Sequence, residues 1–77
     1  MATRRVYHVT HTPHGWATTM EGHYNPIRVS RTKSAAKVFA RRLAKSRRWI
    51  GQVIIHKKDG RIQTEWTFGA DPVETKG

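Results

Sequence analysis

The segment from Thr32 to Arg48, TKSAAKVFARRLAKSRR, is the one stretch of this chain that reads as a helix, and everything else must be arranged around it. It is rich in Ala, Lys, Arg and Leu, which favour helix, and it contains no Gly or Pro. Thr32 is suited to cap its start, because a threonine hydroxyl can accept from an unpaired N–H of the first turn. At about 100° per residue, Ala35, Ala36, Phe39, Ala40 and Leu43 share one face. Lys33, Lys37, Arg41, Lys45 and Arg48 fall on the opposite face, with Arg42 at its flank and Val38 as the exception on the basic side. A helix with a single apolar stripe covers one layer, so the remaining strands should form one sheet beneath it.

The same segment contains no Asp or Glu. Solvated helix faces usually mix signs, since opposite charges four residues apart stabilise a helix by a few tenths of a kcal/mol. Here the cations repel. Lys45, Arg47 and Arg48 gain from the helix dipole near the C-terminal end, but Lys33 and Lys37 do not. The whole chain agrees in sign: 15 Lys and Arg stand against 5 Asp and Glu in 77 residues, a formal charge of +10, with a sequence pI near 11.3. That balance is the footprint of a polyanion binder, nucleic acid before anionic membrane or acidic protein.

The length predicts one domain, residues 1–77, with 1–4 and 70–77 loose, and with little room for an enclosed substrate pocket. There are no cysteines, so disulfides and thiolate metal sites are excluded. The start, MATRRVYHV, has no apolar core of a secretory signal, and no apolar run approaches the roughly 20 residues that span a bilayer. A cytoplasmic location is expected.

Residues 5–10 alternate and predict a first strand, followed by a turn at Thr12-Pro13-His14-Gly15. Residues 16–21 predict its hairpin partner, and 27–30 a short third strand. After the helix, Val53-Ile54-Ile55 predicts a buried strand. Lys58-Asp59-Gly60 predicts a type I′ hairpin turn, and 61–68 the last strand. The expected architecture is α+β, βββαββ, an antiparallel sheet with the basic helix on one face. The expected core is Tyr7, Val9, Trp16, Ile27, Val29, Phe39, Leu43, Val53, Ile55, Ile62 and Trp66.

Tyr7-His8-Val9, Gly15-Trp16, Arg31-Thr32-Lys33-Ser34-Ala35-Ala36, Ala40 with Leu43-Ala44, Ile54 to Ile62 (IIHKKDGRI) and Thr67 to Pro72 (TFGADP) follow one another in an order and spacing of their own. Together they resemble the small bacterial and phage proteins grouped as domain of unknown function 2188. The resemblance implies one compact α+β domain and no catalytic residues. Against the family's usual pattern, Ala70 replaces an Asn or Asp, and the helix is richer in arginine and poorer in acid.

No catalytic, metal or cofactor site is expected. His8 and His11 have opposite parity on a strand and so point to opposite faces, His14 lies in a turn, and His23 and His56 lie elsewhere; His56 would sit on the outer sheet face. The five acids are scattered over a strand end, a turn, an outer strand face and the tail, and no nucleophile–histidine spacing is recognisable. Trp16 and Trp66 read as core, and Trp49 as a staple between helix end and sheet or, alternatively, as an aromatic that stacks on a nucleobase. The functional expectation is a non-enzymatic nucleic-acid binder, for double-stranded DNA before RNA, with little sequence preference. The contacts would come from Lys33, Lys37, Arg41, Arg42, Lys45, Arg47 and Arg48 on the helix, helped by Lys57, Lys58 and Arg61 at the last hairpin. The alternative is a protein–protein module that docks its basic face on an acidic partner or pairs with a second copy as a homodimer.

Overall fold

The computed structural model describes residues 3–45 and 49–69. Five strands and one helix follow in the order β1 (Thr3–Thr12), β2 (Gly15–Met20), β3 (Arg28–Ser30), α1 (Lys33–Ala44), β4 (Trp49–His56) and β5 (Ile62–Phe68). The α+β class and the βββαββ order are as expected. The strands form one sheet in the order β3-β2-β1-β4-β5.

The sheet is mixed rather than wholly antiparallel. Hairpins join β1 to β2 and β4 to β5, and these pairs run antiparallel, as does β2 with β3. The central pair, β1 with β4, is parallel. The cause is α1. Two reversals leave β3 running in the direction of β1, and a helical crossover returns the chain to the end at which β3 began. β4 therefore sets off parallel to both.

Cross-strand register separates the two faces of the sheet. Tyr7 and Val9 align with Met20 and Thr18 on one side and with Val53 and Ile55 on the other; Trp66 and Thr64 extend the row onto β5. This face meets α1. Tyr7, Val9, Trp16, Val53 and Ile55 are buried there against Ala36, Ala40 and Ala44, with Met20, Leu43, Trp66 and Phe68 packed partly buried at the margin. The three alanines, four residues apart, are the inner line of the helix. Their small side chains let the helix backbone approach the sheet closely, and the closest approach is at Gly51. A Cβ built on Gly51 would lie 2.1 Å from the Ala44 carbonyl oxygen, so only glycine admits the last turn of α1 at this point on β4.

Several expectations are corrected. Ala35 is exposed, and the apolar stripe is centred one step away on Ala36, Ala40 and Ala44. Phe39 and Leu43 are half-buried rather than central. Ile27 lies ahead of β3 and is 46% exposed, and Val29 points to the uncovered face at 43%. Ile62 is 55% exposed because the register shifts at Ile55/His56, so that it aligns with His56 instead of continuing the Thr64–Trp66 row. The last hairpin is not type I′. Among the described residues no residue other than glycine has positive φ, so Asp59 is outside the left-handed region and only Gly60 enters it, at φ 94°. Gly60 N–H donates to the Lys57 carbonyl at 2.9 Å and Lys57 N–H donates to that of Arg61 at 2.7 Å, leaving a three-residue loop with a bulge. At the other end of the chain, Thr3 and Arg4 belong to β1 and are not a loose start. Residues 70–77 lie outside the described residues.

Candidate nucleic-acid interface

The helix begins as its sequence predicts. The Thr32 hydroxyl accepts from Ala35 N–H at 3.1 Å, and no acidic residue occupies the first turn. It ends earlier than Arg48: Ala44 is its last residue and Lys45 its C-cap, with Lys45 N–H donating to the Arg41 carbonyl at 3.0 Å. Arg47 and Arg48 lie outside the described residues, and no placement is assigned to them.

The expectation that Lys33, Lys37, Arg41 and Lys45 lie opposite the apolar face is also corrected. They run down one flank of α1, directly beside its alanine line, over a row of aromatic rings. Lys33 Nζ lies 5.1 Å from the ring centroid of Trp16, and Lys37 Nζ 5.9 Å from that of Trp66. The Arg41 guanidinium is 5.3 Å from Trp66, and Lys45 Nζ 5.5 Å from Phe68. These contacts have a simple origin. Trp16, on β2, is already buried, but the sheet extends past the helix on the β5 side, where the half-buried Trp66 and Phe68 would otherwise face water. The long aliphatic stems cover them while the charged ends stay at the surface. Lys33 also hydrogen-bonds Gln63 on β5. Lys33 and Lys37 are half-buried by this packing, whereas Arg41 and Lys45 are exposed. Arg41 borders a shallow groove of about 400 Å³ shared with Glu65, Trp66, Thr67 and Phe68.

Arg42 is on a different side of α1. It faces solvent beside Val38, and with Arg28, Arg31, Val29, Ala35 and Phe39 it lines an open groove of about 570 Å³ between α1 and β3. Arg28 packs on Phe39, its guanidinium 5.2 Å from the ring centroid. Sequence reasoning passed over Arg28 and Arg31, although their positions immediately before a basic helix could have drawn attention to them. Lys57, Lys58 and Arg61 are exposed at the β4–β5 hairpin, beyond the N-terminal end of α1. The structure thus brings Lys33, Lys37, Arg41 and Lys45 into one row, places Arg42 in a second basic patch, and sets the hairpin cations apart. Arg61 is partly engaged by Asp59, at 3.7 Å. Among the described residues the ion pairs are Arg61–Asp59 and His8–Glu21, so no helix cation has an acidic partner.

The tryptophans divide. Trp16 is buried and Trp66 half-buried in the core region, as expected. Trp49 opens β4 and is half-buried, with the Arg5 guanidinium 4.1 Å from its ring centroid. His8 and His11 do point to opposite faces: His11 aligns with Trp16 and packs edge-on against it at 4.9 Å, while His8 faces away from the helix. No group of three or more metal-ligating side chains occurs among the described residues. No described helix is long and apolar enough to cross a membrane.

A two-layer α+β domain of one helix on a five-stranded sheet, with helix cations that have no acidic partner among the described residues, is the class that these features define. A family model described as an uncharacterized protein conserved in bacteria, domain of unknown function 2188, matches residues 7–68. The chain belongs to that family. No curated protein and no solved structure matches it.

Proposed function

We propose that this protein is a non-enzymatic, cytoplasmic nucleic-acid-binding protein that contacts double-stranded DNA through phosphates, with little sequence preference. The observation that carries this reading is the row Lys33, Lys37, Arg41 and Lys45: four cations on one helix flank, anchored on Trp16, Trp66 and Phe68 and with no acidic partner among the described residues. Packing on the rings restricts the side chains before any ligand arrives, which lowers the entropy lost on binding. The row from Lys33 to Lys45 covers twelve residue steps, about 18 Å at 1.5 Å per residue, which is enough to meet several phosphates. Its cations also cover the aromatic faces, so bases cannot stack on Trp66 or Phe68 without displacing them. That favours a duplex presenting phosphates over a single strand presenting bases. Arg42 and the hairpin residues Lys57, Lys58 and Arg61 would add contacts at the periphery.

Titration of a fluorescent random duplex with the purified chain at about 50 and about 200 mM salt tests this directly. Engagement of about six phosphates gives a slope of log affinity against log salt near −5. Absence of binding at the lower salt would overturn the proposal.

The groove between α1 and β3 favours a second reading. Three arginines surround an apolar floor of Ala35, Val38 and Phe39, which suits an acidic protein segment with an apolar side chain. Capture of an acidic partner that Arg42→Glu abolishes, in a chain that does not bind duplex DNA, would establish that reading instead.

A further inference from the structure

The face of the sheet that α1 leaves uncovered holds a side-chain cluster unconnected with the basic helix. His8 on β1 and His56 at the end of β4 meet across the parallel pair, His8 Nδ1 3.0 Å from His56 Nε2. Each ring is also held on its far side. His8 Nε2 is 2.9 Å from Glu21 Oε1, and His56 Nδ1 is 3.0 Å from the carbonyl oxygen of Gly60. A carboxylate and a backbone carbonyl can only accept, so both outer nitrogens carry hydrogens. With neutral rings, the two inner nitrogens are then both bare, and two lone pairs face each other at 3.0 Å. Such an arrangement needs a cation between them. A single proton satisfies it by making one ring an imidazolium. A metal ion satisfies it by taking both lone pairs.

We propose that His8 and His56 form a two-imidazole site for a divalent first-row metal ion of the class that prefers imidazole nitrogen, Zn²⁺ or Cu²⁺, with water in the remaining positions. The outer contacts support this. Metal-bound histidines characteristically donate their second N–H to a carboxylate or a backbone carbonyl, and Glu21 and Gly60 are one of each. The two rings stand on neighbouring strands, His8 paired with Ile54 and His56 one residue beyond the last β1–β4 pair, Val9–Ile55, so the sheet brings them to the same face. Bonds of about 2.0–2.1 Å at a tetrahedral angle place two nitrogens about 3.3 Å apart, a few tenths more than observed. Converging on one ion turns each lone pair by roughly 35° from the N–N line, half the difference between a straight and a tetrahedral angle. The His8 side chain is 26% exposed, so water reaches the cluster to complete the shell. A metal ion that takes both lone pairs leaves no place for a bridging proton, so any proton held there is released to solvent on binding. Parity on one strand separates His8 from His11 and gives no hint of His56, which only the parallel β1–β4 register brings alongside.

The test uses the full chain without an affinity tag, titrated with zinc chloride and with copper(II) chloride. The expected result is saturable uptake of one ion per chain that is lost in His8→Ala and in His56→Ala. It should weaken by about tenfold in Glu21→Gln, and it should persist when His11, His14 and His23 are all replaced by Ala. A second measurement needs no variant: copper(II) should broaden the backbone amide signals of His8, Ile54 and His56 first. Absence of saturable uptake, uptake that survives His8→Ala, or broadening centred on His11, His14 or His23 would overturn the proposal and leave the pair as a proton-bridged contact.

Discussion

Arg41 on α1 and Trp66 on β5 meet across the seam between helix and sheet, the guanidinium 5.3 Å from the ring centroid. This contact ties the charge of the helix to the edge of the core. Arg41→Met keeps an aliphatic stem on Trp66 and removes the charge. It should change stability by less than about 1 kcal/mol, the scale of an exposed cation–π contact, and reduce the magnitude of the salt slope for duplex DNA by about 1. Thermal unfolding and the two-salt titration measure these separately.

Gly51 and Ala44 touch backbone to backbone. Gly51→Ala would push a Cβ to 2.1 Å from the Ala44 carbonyl oxygen, and neither β4 nor the last turn of α1 can yield without disturbing the core. The expected loss is about 1–3 kcal/mol, the range for overpacking a close interface. Urea unfolding should show an earlier midpoint at an unchanged slope.

Thr18 is fully buried on the helix side of the sheet, and its hydroxyl has no hydrogen-bond partner among the described residues. Thr18→Val replaces that hydroxyl by a methyl of similar shape beside Val9. Relieving an unsatisfied buried hydroxyl should stabilise the chain by about 1 kcal/mol, read as a later urea midpoint.

Thr32→Ala removes the side-chain acceptor from Ala35 N–H. Loss of such a cap should destabilise by about 1 kcal/mol. Thr32→Ser should restore most of that loss, which distinguishes the cap from any other role of the residue.

Legibility differed by the kind of force at work. Local rules succeeded where they act alone: the Thr32 cap, the element order, the opposite facing of His8 and His11, and the buried rows through Tyr7, Val9, Val53 and Ile55. Phase was harder. Ala35 and Ala36 are equally apolar, and only Gly51 and the alanine line at 36, 40 and 44 decide which of them meets the sheet. Placing Ala36 inward rotates Lys37 and Arg41 from the expected far side onto the flank above Trp66. Ile62 escaped prediction because the bulge beside it interrupts the alternation that would have turned it inward. The parallel pairing of β1 with β4 follows from the crossover rather than from any residue of either strand. The meeting of His8 with His56 is in turn a product of that pairing.

The cation row on the flank of α1 is proposed to bind duplex DNA. The most direct measurement compares the affinity of the parent chain and of the double variant Arg41→Glu, Lys45→Glu for one random duplex at about 50 mM salt, where phosphate contacts are least screened. Circular dichroism should first show that the variant retains the fold. Loss of binding in a folded variant is the predicted result. An unchanged affinity would contradict the account and remove the helix flank as the contact surface.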